Sequence, residues 1–189
     1  MALPLESGGA LEQLGVPLLY TGVGKINAVH VLTRELVRRA ARGEPAVELV
    51  LNLGTAGSPV FPAGTLLECT RFVQRDMDAS PLGFAVGETP FDAHPPVLEH
   101  AARFAHLESA ACGSGDDFCV THDALHYEVV DMEAYALAKV CHMEGVPFAC
   151  VKYITDGAKD ESSAGEWRRT AHTAGERLAE FLRSVPLRI

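Results

Sequence analysis

Two groups of acidic residues in this chain have the types and spacing to handle a sugar and a base. Asp131 and Glu133 flank Met132 in Val130-Asp131-Met132-Glu133-Ala134-Tyr135, where an apolar stretch from Tyr127 to Val130 meets the start of a helix. Asp156 follows in Tyr153-Ile154-Thr155-Asp156-Gly157, at the end of another apolar run. Carboxylates accept hydrogen bonds, and the vicinal hydroxyls of a sugar are natural donors. The carboxyl ends of strands in an α/β sheet are where ligands bind. One acid for a sugar and one for a base is the pattern of a nucleoside site. The same acids could also cap helices, because Asp and Glu favour helix starts. Glu133 fits that reading less well, since it lies inside an apolar stretch.

Two small-residue segments could bring backbone close to a ligand: Thr21-Gly22-Val23-Gly24-Lys25 and Gly54-Thr55-Ala56-Gly57, each read as a turn after a strand. The first is no phosphate loop. It lacks the earlier glycine, and Ile26 follows the lysine instead of Ser or Thr. Other chemistries find less support. His122 and His126 are four apart, but Asp123 stands where a zinc protease needs Glu, so no metal is expected. No Gly-x-Ser-x-Gly elbow is present.

The 189 residues suit one domain. Hydrophobic content of 48% and charged content of 22% describe a globular protein with a real core. A net charge of -9 argues against nucleic acid and against an anionic membrane surface. No apolar run reaches spanning length, and no signal-type segment opens the chain, which points to a cytoplasmic protein. Five cysteines without CxxC spacing read as reduced thiols.

Alternating patterns set out the elements that must position these residues. Strands are expected at Val16–Tyr20, Val47–Leu53, Thr65–Phe72, Tyr127–Val130 and Pro147–Ile154. Helices are expected at Lys25–Arg42, Val97–Ser109, Met132–Glu144 and Ala164–Arg183. Asp76 to Pro96, rich in Gly, Pro and Asp, reads as a long loop. Such alternation implies a mostly parallel sheet covered by helices on both faces.

Six segments, in order, resemble the nucleoside phosphorylase/nucleosidase superfamily, and within it the 5′-methylthioadenosine/S-adenosylhomocysteine nucleosidase branch. They are Thr21-Gly22-Val23-Gly24-Lys25-Ile26-Asn27-Ala28, Asn52-Leu53-Gly54-Thr55-Ala56-Gly57, Arg75-Asp76-Met77-Asp78 with Gly83-Phe84, Gly115-Asp116-Asp117-Phe118, Val130-Asp131-Met132-Glu133-Ala134 and Ile154-Thr155-Asp156. The resemblance spans roughly residues 16 to 183. It implies a single domain over residues 1–189. The implied fold is a three-layer α/β/α sandwich with a mostly parallel, partly mixed twisted sheet, trimmed at the N-terminus.

The resemblance also implies roles. Glu133 would bind both ribose hydroxyls and Met132 would pack on the sugar. Asp156 would bind the purine and protonate N7 as the glycosidic bond breaks, steadied by Thr155. Phe118 would stack on the base, and the Cys119 backbone would read its edge. Thr55 and Ala56 would lie near the nucleophile and ribose, with Val23 and Asp131 completing the binding set. Trp167 would close the 5′-substituent pocket. Ala2-Leu3-Pro4-Leu5-Glu6 keeps the family's alanine-to-glutamate spacing, which makes Glu6 the candidate base that activates water. Lys152 stands where the family commonly has arginine.

Phosphorylases of the superfamily hold phosphate with arginines near the first loop and near the turn matched by Gly54 to Gly57. No arginine occurs from residue 1 to 33 or from 43 to 70, so a phosphate dianion would lack its bidentate partners. The expected reaction is hydrolysis of a purine nucleoside in methionine salvage, without a cofactor, in a homodimer whose 76–91 loop lies near the interface. A phosphorylase, a hydrolase of another 5′-modified nucleoside and a non-catalytic nucleoside-binding relative are the alternatives.

Overall fold

A computed structural model describes residues 1–117, 126–156 and 164–185, with side chains in the last segment described from residue 173. Six strands form one mixed sheet: β1 (Val50–Gly57), β2 (Leu66–Gln74), β3 (Val97–Glu99), β4 (Glu108–Ser114), β5 (Val129–Asp131) and β6 (Phe148–Asp156). Their order is β3-β2-β4-β5-β1-β6, and β2 also pairs with β6, so the sheet curls round on itself. The long β1–β6 and β2–β4 ladders are parallel, as is β4–β5, whereas β1–β5, β2–β3 and β2–β6 are antiparallel.

Alternation along β6 builds the layers. Phe148, Cys150 and Ile154 enter one apolar cluster, while Ala149, Val151 and Tyr153 enter another, as the period of two in a strand requires. The first cluster takes Ala28 and Leu32 of α2 (Lys25–Ala41) and Ala134 to Ala138 of α3 (Ala134–Glu144). The second takes Ala174, Leu178, Ala179 and Phe181 of α4 (Ala164–Ser184), together with Met1 and Leu11. Helices thus cover both faces. A four-residue helix, α1 (Pro4–Ser7), sits against α4 near the N-terminus. Among the described residues no helix is long and apolar enough to cross a membrane. Cys69, Cys112, Cys141 and Cys150 are buried free thiols.

Several expectations need correction. Residues 97–109 are not helical: 97–99 form β3 on the edge of β2, and β4 begins at Glu108. The buried Glu68 carboxylate accepts the Arg103 and Phe104 N–H groups at 2.9–3.1 Å, and His100 N–H donates to Thr70 O. These non-local bonds occupy amides a helix would need, and they override the local periodicity. Residues 16–20 join no strand. Their neighbours Thr21 and Gly22 donate instead to Met1 O and Ala2 O, and Pro17 has no N–H for a ladder.

The Gly54–Gly57 segment is no turn. It is the second half of β1, paired with β6 through Gly57 and Asp156. α3 begins at Ala134, two residues later than expected. On α2 the apolar stripe is only half used by the core: Leu32 is buried, whereas Ile26 is 81% exposed and Val29 40%.

Candidate active site

The carboxyl end of β1 gathers acids from three distant parts of the chain. Thr55 offers Glu6 Oε1 both its N–H (2.9 Å) and its hydroxyl (2.8 Å). The other Glu6 oxygen accepts Leu3 N–H at 3.0 Å. The Thr155 hydroxyl, on the neighbouring β6, lies 3.3 Å from Ala56 O and 2.8 Å from Asp156 Oδ1. Gly57 then lets Asp156 in. A Cβ there would stand 2.5 Å from Asp156 Oδ2 and 3.1 Å from Val130 Cγ2, so any side chain would push the acid aside. Three successive residues of one strand therefore touch Glu6, Thr155 and Asp156. The parallel β1–β6 register brings the last two there.

Glu133 precedes α3 and is 8% exposed. Its Oε1 accepts Gly24 N–H at 2.8 Å. Gly24 holds φ +92°, and a Cβ there would stand 3.2 Å from Asp116 Oδ1, so this turn needs glycine. The turn is pinned from the other side: Lys25 N–H donates to Asp116 at 2.8 Å, and its ammonium pairs with Asp76 and Asp116. Burial pushes the Glu133 carboxyl up to about 7, and the negative charge of Asp131 adds to the shift.

Asp131 serves the framework. Its side chain is buried against Lys152, with Nζ and Oδ2 2.7 Å apart. Ala134 N–H donates to it at 2.9 Å, at the start of α3, and the Ser114 hydroxyl makes a short bond to its other oxygen. Burial alone would raise this carboxyl. The Lys152 ammonium and the hydrogen bonds outweigh it, so Asp131 titrates below its usual value. Lys152 is likewise disfavoured by burial but raised well above its usual value, chiefly by Asp131. Lys152 Nζ and Glu6 Oε1 lie 3.5 and 3.3 Å from where a Cβ on Gly54 would stand, on the strand between them. A buried cation thus sits close to the candidate base.

The fold therefore brings together Glu6, Thr55, Ala56, Thr155 and Asp156, with Glu133, Asp131 and Gly24 on the adjoining side. Met132 is half-buried between the two acids, and Val23 is exposed beside Gly24. Phe118, Cys119 and the Trp167 side chain lie outside the described residues, as does His122. Sequence reasoning gave no role to Lys152, Ser114 or the Gly24 N–H. One signal was available for the lysine: a single charge in the apolar run Ala149-Cys150-Val151-Lys152-Tyr153-Ile154 needs a buried partner. Nothing in the sequence pairs Ser114 with Asp131.

A family model described as Phosphorylase superfamily matches residues 9–185. A 5′-methylthioadenosine/S-adenosylhomocysteine nucleosidase from Geobacillus thermodenitrificans is 30% identical, with 95% of this chain and 82% of that protein covered. One from Anoxybacillus flavithermus is also 30% identical, covering 82% and 73%. Among solved structures, the Helicobacter pylori nucleosidase of the same name, complexed with a substituted pyrrolo[3,2-d]pyrimidine, superposes with a TM-score of 0.75. It is 25% identical and covers 97% of this chain and 94% of that one. The native futalosine hydrolase of Helicobacter pylori gives a TM-score of 0.76 at 25% identity, covering 97% and 93%. With a family match spanning nearly all of its length and relatives at 30% identity, this chain belongs to the phosphorylase superfamily.

Proposed function

We propose that this protein hydrolyses the N-ribosidic bond of a 5′-modified adenine nucleoside, with methylthioadenosine and adenosylhomocysteine as substrates. The observation that carries the reading is the meeting of Glu6, Thr155 and Asp156 on three consecutive residues of β1, with Glu133 alongside. In the reaction, Glu6 takes a proton from a water molecule while the water oxygen attacks C1′. The C1′–N9 electron pair passes to the purine, and Asp156 delivers a proton to N7. The sugar passes through an oxocarbenium-like state, by analogy with glycoside hydrolysis, and Glu133 holds its two hydroxyls. Free adenine and a 5′-substituted ribose result, products suited to methionine salvage.

The test is to incubate the protein with methylthioadenosine, adenosylhomocysteine, adenosine and inosine, with and without phosphate, and to follow free base. Adenine release from the 5′-thio nucleosides without phosphate is the expected result. Phosphate-dependent release would make the protein a phosphorylase, and no release from any nucleoside would leave a binding protein. The likeness to futalosine hydrolase favours one second reading, a different 5′-modified nucleoside, so futalosine belongs in the same panel.

The pH dependence follows from Glu133. With its carboxyl at about 7, the group is largely protonated below that value and a carboxylate above it. Only the carboxylate accepts from both ribose hydroxyls without losing an acceptor site to its own proton. The nucleoside KM is therefore expected to fall as pH rises through about 7. A KM flat across that range would show that titration of Glu133 does not control ribose binding there.

A homodimer is part of the same reading. Exposed Ile26, Val29 and Met143 line a groove of about 530 Å³ between α2 and α3, with Tyr135, Ala136 and Val140 at its floor. An apolar surface of this kind suits a subunit contact, and a sedimentation mass of one chain would refute it.

A further inference from the structure

Glu6 sits on α1, a helix of four residues. So short a helix cannot hold its own geometry, because the first turn is the costly one to form. Its position has to come from elsewhere, and two contacts supply it.

The first is Ser7, which is fully buried. Its hydroxyl lies 3.0 Å from Pro4 O and 2.7 and 2.8 Å from the two Glu12 oxygens. It accepts from Gly9 N–H at 3.2 Å and lies 3.0 Å from the Tyr20 hydroxyl. Tyr20 also bonds directly to Glu12. These bonds from Tyr20 and Ser7 hold the Glu12 carboxyl below its usual value, so it stays ionised at neutral pH.

The second is Gly175, near the middle of α4. A Cβ added there would stand 2.1 Å from Ser7 O, 2.5 Å from Ser7 C and 2.9 Å from Glu6 O. All three are backbone atoms, so no rotamer change relieves the clash: either α1 or α4 must move. Glycine is otherwise a poor choice in a helix interior, and this close approach accounts for it.

We propose that Gly175 and Ser7 are positioning residues for Glu6: the missing side chain on α4 lets the α1 backbone seat, and the Ser7 hydroxyl locks it, so that the Glu6 carboxylate meets Thr55. The inference rests on the reading of Glu6 as the base. Among the described residues, the Ser7 hydroxyl bonds to Pro4, Glu12, Gly9 and Tyr20 and Gly175 faces the backbone of Ser7 and Glu6, whereas the ribose and base ends of the site belong to Glu133 and Asp156. Their loss should therefore act on turnover and not on binding of the base.

The experiment is a double-mutant cycle on methylthioadenosine hydrolysis, with adenine affinity measured in parallel. Displacing a reacting group by about 1 Å costs on the order of 10²-fold in rate. Gly175→Ala is accordingly expected to lower kcat by about 10²-fold while leaving adenine affinity unchanged. In a Glu6→Gln background the same substitution should lower kcat no further, because two changes acting through one group are not additive. Ser7→Ala should show the same pattern with a smaller loss, and it carries the cycle if Gly175→Ala fails to fold.

A wild-type kcat in the substituted proteins, an equal further loss in the Glu6→Gln background, or a parallel loss of adenine affinity would each overturn the inference. The two levels separate cleanly. Undiminished turnover in Glu6→Gln itself overturns the base assignment. An impaired Glu6→Gln beside fully active Gly175→Ala and Ser7→Ala removes only the positioning role.

Discussion

Asp156→Asn is expected to lose nearly all nucleoside hydrolysis while still binding adenine. Asparagine has almost the same shape as aspartate, so it fits the space left by Gly57, where the carboxylate lies 2.5 Å from the place a Cβ would occupy. Its amide can keep a hydrogen bond with the Thr155 hydroxyl, which lies 2.8 Å from Asp156 Oδ1. It cannot give up a proton to N7. General acid catalysis of this kind contributes about 10²–10⁴-fold, so kcat should fall by that order, with the melting temperature little changed and adenine still bound. The measurement is adenine release beside equilibrium binding of adenine. Full activity in the variant would sink the assignment of the proton donor.

The second large effect concerns stability. Lys152→Met removes the ammonium that pairs with Asp131 at 2.7 Å and leaves a carboxylate buried with only hydrogen-bond partners. Breaking a buried ion pair by deleting one partner costs about 3–5 kcal/mol. Urea unfolding at neutral pH should register a loss of that order. Neutral pH is the right window. Asp131, whose pKa is lowered, contributes its stability above the ordinary carboxylate value and loses it only as pH falls through the lowered one. Lys152, whose pKa is raised, contributes below its ordinary value and loses it only at strongly alkaline pH. The double variant Lys152→Met/Asp131→Asn should recover much of the stability, since it leaves no unpaired charge. A single variant as stable as the wild type would mean that the pair is dispensable. The same ammonium also draws the Glu133 pKa down. In any Lys152→Met protein that folds, the pH at which the nucleoside KM falls should therefore move upward.

Much of the framework was legible because its signals are local. The apolar run ending in Thr155-Asp156 reads as a buried strand, and the observed β6 alternates between the two cores as a strand must. The stripe on α4 reads as a helix face, and Ala174, Leu178 and Phe181 are buried as it implies. Residues 97–109 misled for the opposite reason. Their spacing suits a helix, but the partners that decide their conformation, Glu68 and the edge of β2, lie some thirty residues earlier in the chain. Gly54 to Gly57 looked like a turn because small residues often make turns. Here they are small so that Glu6, Lys152 and Asp156 can crowd against a strand.

The sequence by itself determined which chemical groups are available: two acids around Met132, an acid after Thr155, a glutamate four residues after Ala2, and no arginine from residue 1 to 33 or from 43 to 70. It also determined the family, because those segments recur in order. Only the tertiary structure decided that these groups meet. Glu6 reaches Thr55 across 49 positions of chain, and Glu133 reaches Gly24 across 109. Side-chain periodicity is set by bonds between near neighbours, so a strand or helix face can be read from its own residues. A site is set by packing between elements far apart in the chain. The space that a missing Cβ leaves at Gly57 or Gly175 becomes visible only once the opposing backbone is in place.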